Sequence, residues 1–532
     1  MRADNDGVRS GGGRRRLLPV PSVDELRRMN DALEMGFTDE ELAGAQQAVA
    51  NALESYRRVE ELTATGLPPR TWDEPRQVSA DENPYGAWMF RHRIEPTGTG
   101  VLDDMSVVVK DNIAVAGIPM TIGGELLRDH VPSYDATVVA RVLRAGGTLL
   151  GTAACEDLCF SGNSFTNVNG PARNPYDPTR SSGGSSSGCG VLVALGEADA
   201  SIGADQGGSV RGPAAWSGIT GLKPTYGLVP YTGVAAVEMT VDHAGPMART
   251  AAEVARLLDA IAGPDGHDPR QRGVSREEGY VDALGGTAAG VRVAVVREGF
   301  GWEGLSEDCV DVPVREAALR LRELGCEVDE ISVPWHRDAI HVFAPIMAEG
   351  STATLYRGNG IGTGWSGFHD VELLRAFHDG WRDRPTATSL STKVQLLVGS
   401  YTSRLTGGYH YAAAQNLVPA LRAAYDEVFA SYDVVVMPTL PMSPRVLPTT
   451  DLPPDVYIAQ ALDMSCNNCA FNLTGDTSVS LPIGLVDGLP VGMMISAARG
   501  RDAFLLRFAD VLQRELFEVP RPPAGLATGA NA

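Results

Sequence analysis

The spacing of apolar residues predicts two helices near the start of the chain. Ser22-Val-Asp-Glu25 and Thr38-Asp-Glu-Glu41 each fit a capping box, in which a hydroxyl accepts from the amide three residues later. After the second box, apolar residues recur at helical intervals as far as Val59. We therefore predict two helices over residues 22–65, the second one long, and a polar, proline-rich linker over 66–84.

Beyond the linker, short apolar segments alternate with longer amphipathic ones. The short segments have the length and composition of buried strands, and the longer ones have helical periodicity. Predicted strands lie at 105–110, 148–153, 291–297, 326–333 and 432–438, and predicted helices at 135–145, 314–324 and 412–429. This alternation predicts an α/β fold: a large mixed, mostly buried β-sheet flanked by helices on both faces, with an N-terminal helical extension.

Composition and charge narrow the classes of function. The 532 residues carry a formal charge of −21, which argues against a nucleic-acid-binding protein. No apolar run approaches the ~20 residues of a membrane span. The N-terminus also lacks the apolar core of a secretory signal. We therefore expect a soluble, cytoplasmic protein that binds neither nucleic acid nor membrane.

Seven cysteines, an odd number, do not suggest a disulfide framework. Cys466-Asn-Asn-Cys469 is a C-x-x-C pair, but no histidine spacing completes a zinc site. We expect buried, inert thiols, no metal and no cofactor.

Three segments carry residues suited to acyl transfer. In 205–209 (DQGGS) a strand-like stretch ends in two glycines, which let consecutive N–H groups converge on one oxygen beside Ser209. In 183–188 (GGSSSG) several hydroxyls precede a helical segment. Lys110 ends an apolar strand, where burial favours the neutral amine that acts as a base. Each segment alone is also compatible with a turn, a helix cap or a strand-end lysine.

Taken together, the three segments resemble the amidase signature family. Lys110 ends a strand, Gly183–Ser186 reads GGSS, and Asp205–Pro213 reads DQGGSVRGP. The 24 positions between Ser185 and Ser209 match the family's spacing. KDNIAVAG, GLKPTYGLVP and SLPIGLVDGLPVGMM are also similar to the family, and the resemblance covers residues 80–520.

The resemblance implies the amidase-signature fold and hydrolysis of carboxamides to an acid and ammonia or an amine (EC 3.5.1.4). Ser209 is the implied nucleophile that forms an acyl-enzyme, and Ser185, after a cis peptide bond, links it to the base Lys110. Cys159 and Ser185 are expected to contact the substrate. The implied oxyanion hole consists of four backbone N–H groups, those of Gln206, Gly207, Gly208 and Ser209.

A closer subgroup is also indicated. CEDLCFSG (155–162) and NLVPALRAAYD (416–426) are similar to enantioselective amidases found with nitrile hydratases in actinobacteria, which implies a homodimer and aromatic or aliphatic amide substrates. Several residues depart from the family pattern, and we expect them to narrow the pocket or alter substrate choice: Ser187, Cys189, Gly212 and Trp216-Ser217. The glycine-rich stretch 358–364 is either a loop over the site or an ordinary surface loop.

We expect the chain to divide into four parts. These are a disordered tail (1–20), a helical extension (21–75), the catalytic domain (76–520) and a second disordered tail (521–532). The extension is expected to aid dimerisation.

Four alternatives stay open. The chain is also similar to the glutaminase subunit of a tRNA-dependent amidotransferase, and it is compatible with a hydrolase for one metabolite amide or hydrazide. A non-catalytic binding protein on the same fold is a third reading. A Ser-His-Asp esterase is a fourth, because 184–188 matches G-x-S-x-G, although no apolar strand precedes it.

Overall fold

Two helices make up an N-terminal unit that extends to Pro68. They are α1 (Val23–Leu33) and α2 (Asp39–Thr63). The Ser22 hydroxyl accepts from the Glu25 amide at 3.2 Å, while the Glu25 carboxylate accepts from the Ser22 amide at 2.6 Å. Thr38 and Glu41 make the same exchange. Both predicted capping boxes are therefore confirmed.

The computed structural model describes residues 18–63, 76–276, 279–449 and 452–523. Most of the two predicted tails and much of the predicted linker (1–17, 64–75 and 524–532) lie outside the described residues. No helix in the described ranges is long and apolar enough to cross a membrane.

One twelve-stranded sheet forms the centre of the second unit, which begins at Pro69. Its strands are β1 (Arg76–Gln77), β2 (Trp88–Ile94), β3 (Ser106–Lys110), β4 (Thr148–Ala153), β5 (Ala200–Asp205), β6 (Thr220–Lys223), β7 (His243–Ala248), β8 (Arg292–Val296), β9 (Glu327–Ile331), β10 (Val434–Pro438), β11 (Thr477–Val486) and β12 (Leu489–Ala497). They lie in the order β1-β2-β4-β3-β5-β7-β6-β11-β12-β10-β8-β9. β3 is parallel to β4 and β5, β8 is parallel to β9 and β10, and the other pairs are antiparallel. The sheet is mixed, as predicted.

Helices cover both faces of this sheet. They are α3 (Thr137–Arg144), α4 (Ser187–Ala194), α5 (Arg211–Ser217), α6 (Ala251–Ile261), α7 (Asp308–Arg320), α8 (Trp335–Pro345), α9 (Val371–Asp383), α10 (Leu390–Thr406), α11 (Tyr409–Ser431), α12 (Pro454–Leu462), α13 (Cys469–Thr474) and α14 (Asp502–Glu515).

Alternate residues of β3 show how the two faces are buried. Val107 and Val109 pack into the larger core cluster together with α6 and α14, whereas Val108 packs into a separate cluster with α4 and α5. Because successive strand residues point to opposite faces, both faces of the sheet are buried. The predicted α/β architecture is confirmed.

Candidate active site

Lys110 is the last residue of β3 and is fully buried. Because β3 and β5 are parallel neighbours, their carboxyl ends meet at the same edge of the sheet, where open α/β sheets place their sites. There, the Lys110 Nζ lies 2.7 Å from the Ser185 Oγ and 3.5 Å from the carbonyl oxygen of Ala204 on β5.

Ser185 lies in the segment that leads into α4. The Gly184–Ser185 peptide bond is cis, as the resemblance implied. The Ser185 side chain is fully buried, and its carbonyl oxygen accepts from the Glu156 amide at 3.2 Å. The next residue, Ser186, exchanges hydrogen bonds with the Ala204 backbone at 3.2 and 3.3 Å, which ties this segment to β5.

Ser209 lies in the turn between β5 and α5, and the Asp205 side chain binds backbone amides of that turn. One carboxylate oxygen of Asp205 accepts from the Gly208 amide at 2.8 Å, and the other accepts from the Val210 amide at 3.0 Å. Gly208 has a φ of +120°, and a Cβ there would lie 2.8 Å from the Asn468 Cγ. This position therefore requires glycine.

An ion pair with Arg211 fixes the Asp205 carboxylate. The Arg211 Nη2 lies 2.9 Å from the Asp205 Oδ1, and both side chains are fully buried. Asn472 donates to the same oxygen at 2.9 Å. Burial alone would raise the pKa of Asp205, but the Arg211 charge and these hydrogen bonds outweigh it and hold the pKa well below its usual range.

Backbone N–H groups at this turn divide into two sets. The Gly208 amide is used by Asp205, so it is not free for a substrate oxygen in this structure. The amides of Gln206, Gly207 and Ser209 have no hydrogen-bond partner among the described residues. Three of the four predicted oxyanion donors are thus available.

A cavity of about 340 Å³ opens in front of Ser209. Ser209 is half-buried in its wall, with Gly184 and Gln206 beside it. No charged side chain and no histidine is present among the described residues that line this cavity. Most of the wall is apolar and comes from eight large side chains: Phe160, Ile340, Phe343, Met347, Val398, Leu440, Leu462 and Met464.

Cys159 also lines this cavity and is partly exposed, with a left-handed φ of +64°. A hydrogen bond from Cys155 lowers the pKa of the Cys159 thiol below its usual range, although burial opposes the shift. Hydrogen bonds with the Lys110 and Ser185 side chains act in the same direction. Of the two predicted substrate contacts, Cys159 lines the cavity next to the Lys110–Ser185 pair, whereas Ser185 does not line it.

Three of the departures from the family pattern, Ser187, Cys189 and Gly212, have different surroundings. Ser187 is fully buried, and its hydroxyl donates to the Glu156 Oε1 at 3.0 Å. Cys189 is buried, with its Sγ 3.7 Å from the carbonyl oxygen of Ile202. Neither lines the cavity, so they do not narrow it by direct contact, and their effect on substrate choice stays a prediction. Gly212 does line it, and without a side chain it leaves space open.

Sequence reasoning missed several residues that position the site. Glu156 accepts from the amides of Phe165 and Thr166, and burial raises its pKa to about 7. Asn468 and Asn472 support the turn at Gly208 and Asp205. The signal was present, since polar residues inside the apolar stretches CEDLCF and CNNCAFNL need buried partners. The C-x-x-C pair is thus notable for the asparagines that it contains.

The glycine-rich loop 358–364 does not line the cavity of Ser209. Gly358, Ile361 and Gly364 instead line a separate cavity of about 800 Å³, together with Glu238 and Glu349. The reading of this stretch as a loop over the Ser209 site is therefore wrong.

A serine at the end of a backbone nest, a buried lysine–serine pair and an apolar cavity together define an acyl-transfer hydrolase. Comparisons with known proteins agree. The Amidase family model matches residues 87–506, so the chain belongs to the amidase signature family, whose members hydrolyse carboxamides.

Individual relatives point the same way. An enantioselective amidase of Rhodococcus rhodochrous is 42% identical over 522 residues, which cover 97% of this chain and 99% of the relative. The crystal structure of a glutamyl-tRNA(Gln) amidotransferase component from Thermotoga maritima superposes with a TM-score of 0.68 at 26% identity, covering 83% of this chain and 92% of that one. The structure of a peptide amidase from Stenotrophomonas maltophilia superposes with a TM-score of 0.64 at 26% identity, covering 80% of this chain and 85% of that one.

Proposed function

We propose that this amidase acts through Ser209 as nucleophile, with Lys110 as general base and Ser185 as the proton relay between them. The observation that carries the proposal is the 2.7 Å contact between the Lys110 Nζ and the Ser185 Oγ, behind a cavity whose wall contains Ser209. A nucleophile, a base and preorganised donors in one place are the requirements of acyl transfer.

In the first half of the reaction, the Ser209 Oγ attacks the amide carbonyl carbon, and its proton passes through Ser185 to Lys110. The amides of Gln206, Gly207 and Ser209 stabilise the negative oxygen that forms. Lys110 then returns the proton, through Ser185, to the leaving nitrogen as the C–N bond breaks. Water attacks the resulting acyl-enzyme by the same proton route and releases the acid.

The substrates that fit this cavity are neutral primary carboxamides with an apolar acyl group, which corresponds to an acylamide amidohydrolase. An apolar wall without charge gains from burying hydrocarbon but offers nothing to an ammonium or a carboxylate. Free glutamine carries both charges. This argues against the glutaminase component of an amidotransferase, and the absence of histidine from the described lining argues against a Ser-His-Asp esterase.

We also propose a cytoplasmic homodimer in which the N-terminal helices take part in the subunit contact. Residues 21–75 are proposed as this extension and 76–520 as the catalytic domain. Support comes from large apolar side chains that α1, α2 and their connection leave exposed, namely Leu33, Met35, Phe37 and Tyr56. Apolar groups concentrated on one small unit are typical of an interaction surface.

The base and the relay are tested by Lys110→Ala and Ser185→Ala. If the three residues act as one unit, each change should lower kcat by roughly 10⁴-fold or more and leave KM within about threefold. Labelling of Ser209 by a fluorophosphonate should slow in parallel. Lys393→Ala, which removes an exposed lysine of α10, is the matched control and should retain full activity. Lys110→Ala with kcat within tenfold of wild type at neutral pH would contradict the assigned base.

A further inference from the structure

Five glycines line the cavity in front of Ser209, and four of them leave no room for a side chain. A Cβ at these four positions would approach a neighbouring atom to 2.7 or 2.8 Å, which real Cβ atoms do not do. The four are Gly162, Gly184, Gly207 and Gly208. At these places the chain needs glycine for close packing.

Gly212, the fifth, is different. A Cβ there would meet the Leu440 Cδ1 at 3.5 Å, the Leu440 Cδ2 at 3.7 Å and the Gly184 carbonyl oxygen at 3.9 Å, all ordinary contact distances. Its φ is not left-handed, and it is the second residue of α5, a position that residues with side chains also adopt. Neither the backbone nor close packing explains this glycine.

The space that Gly212 leaves open adjoins the nucleophile. The Gly212 amide donates to the Gly208 carbonyl oxygen at 2.7 Å, so the turn that carries Ser209 continues into α5. Residues three apart on such a turn lie on the same face. The open space is therefore next to Ser209, between Leu440 and the carbonyl group of Gly184.

We propose that Gly212 determines substrate specificity by opening a subsite for a bulky, α-branched acyl group of a neutral primary amide. The inference rests on the proposed function. Because the leaving group of a primary amide is ammonia, any bulk that enters the cavity belongs to the acyl part. A side chain at position 212 would occupy the volume next to the α-carbon of the substrate's acyl group. Substrates with a substituent on that carbon should therefore show the largest fall in kcat/KM.

The test compares acetamide with 2-phenylpropanamide as substrates of wild type, Gly212→Ala and Gly212→Val. For acetamide, kcat/KM should stay within about threefold in all three enzymes. For 2-phenylpropanamide it should fall by roughly 10-fold in Gly212→Ala and 100-fold or more in Gly212→Val, since one methyl or methylene group in a packed pocket changes kcat/KM by about 10–200-fold. Gly44→Ala in α2, where a Cβ meets nothing within 4 Å, is the matched control.

An equal loss on both amides, or no loss on 2-phenylpropanamide, would overturn the proposal. Labelling of Ser209 with a methyl and a bulky branched alkyl fluorophosphonate separates this inference from the proposed function. If wild type releases no ammonia from any amide, the proposed function fails. The proposed subsite is still supported if Gly212→Val lowers the labelling rate of the bulky probe by 10-fold or more and leaves that of the methyl probe unchanged. It is contradicted if Gly212→Val lowers both labelling rates equally.

Discussion

The buried ion pair beneath the catalytic turn supports a quantitative prediction for Asp205→Asn. The Asp205 carboxylate receives hydrogen bonds from the Gly208, Val210 and Arg211 amides, from two guanidinium nitrogens of Arg211 and from Asn472. Asparagine keeps the shape and one acceptor oxygen. It loses the charge. Its NH₂ group also replaces an acceptor oxygen by a donor, and that donor faces other donors.

The expected loss of stability follows from the burial of both partners. Removing one member of a buried pair leaves the other charge uncompensated and costs about 3–5 kcal/mol. Urea unfolding at pH 7 should therefore show Asp205→Asn to be less stable than wild type by about 4 kcal/mol. Since the turn that carries Ser209 loses its anionic anchor, kcat of the folded variant should also fall by about 100-fold or more.

The pH dependence has a definite sign. Because the pKa of Asp205 is depressed in the folded state, its contribution is present above the unfolded value of about 3.9 and is lost as the pH falls through the folded pKa. The stability gap between wild type and Asp205→Asn should therefore be constant from pH 5 to 8. It should narrow only below about pH 4.

Two controls make the measurement specific. Glu330→Gln removes an exposed partner of Arg297 and should cost about 1 kcal/mol at most. Leu258→Ala deletes a fully buried side chain of α6 and should cost about 2–5 kcal/mol while leaving kcat unchanged. A loss of less than about 1 kcal/mol in Asp205→Asn, or a destabilised variant that keeps the wild-type kcat, would contradict the role of the ion pair.

Two further predictions concern groups beside the catalytic pair. Iodoacetamide should inactivate the enzyme through Cys159, and the pH at which the inactivation rate is half-maximal should lie below the ~8.5 of a free thiol, because the pKa of this thiol is lowered. Cys159→Ser should resist inactivation. A half-maximal rate at or above about pH 8.5 would contradict the lowered pKa. Burial raises the pKa of Glu156 to about 7, so between about pH 4.5 and 7 the unfolded chain loses a proton that the folded chain keeps, and stability falls as the pH rises. Glutamine at position 156 cannot ionise, so the free energy of unfolding in urea should fall from pH 5 to pH 8 by about 3 kcal/mol less in Glu156→Gln than in wild type. An equal fall in both proteins would contradict the raised pKa of Glu156.

Local sequence signals predicted much of the fold and the centre of the site. Hydrophobic runs located β3 and β4, and capping boxes located α1 and α2. The ends of the elements were predicted less accurately. The helix α7 begins at Asp308, six residues before the predicted start, and continues through Pro313. The β11–β12 hairpin was not predicted as two strands, although Asp487-Gly488 is a typical two-residue turn between apolar segments.

Contacts between distant parts of the chain were beyond sequence reasoning. Asp205 meets Asn472 across 267 positions, and Phe343 and Met464 reach the cavity from α8 and from the loop after α12. Nothing local marks these residues as neighbours, because the strand order that brings them together is a property of the whole sheet. The use of the Gly208 amide by Asp205 was likewise visible only in the folded turn.

The central claim is tested most directly by measuring ammonia release from a panel of neutral aromatic and aliphatic primary amides, with wild type beside Ser209→Ala. We expect wild type to release ammonia from amides with apolar acyl groups and Ser209→Ala to release none above background, at equal concentrations of folded protein. Release by Ser209→Ala at the wild-type rate would contradict Ser209 as the nucleophile, and with it the proposed mechanism.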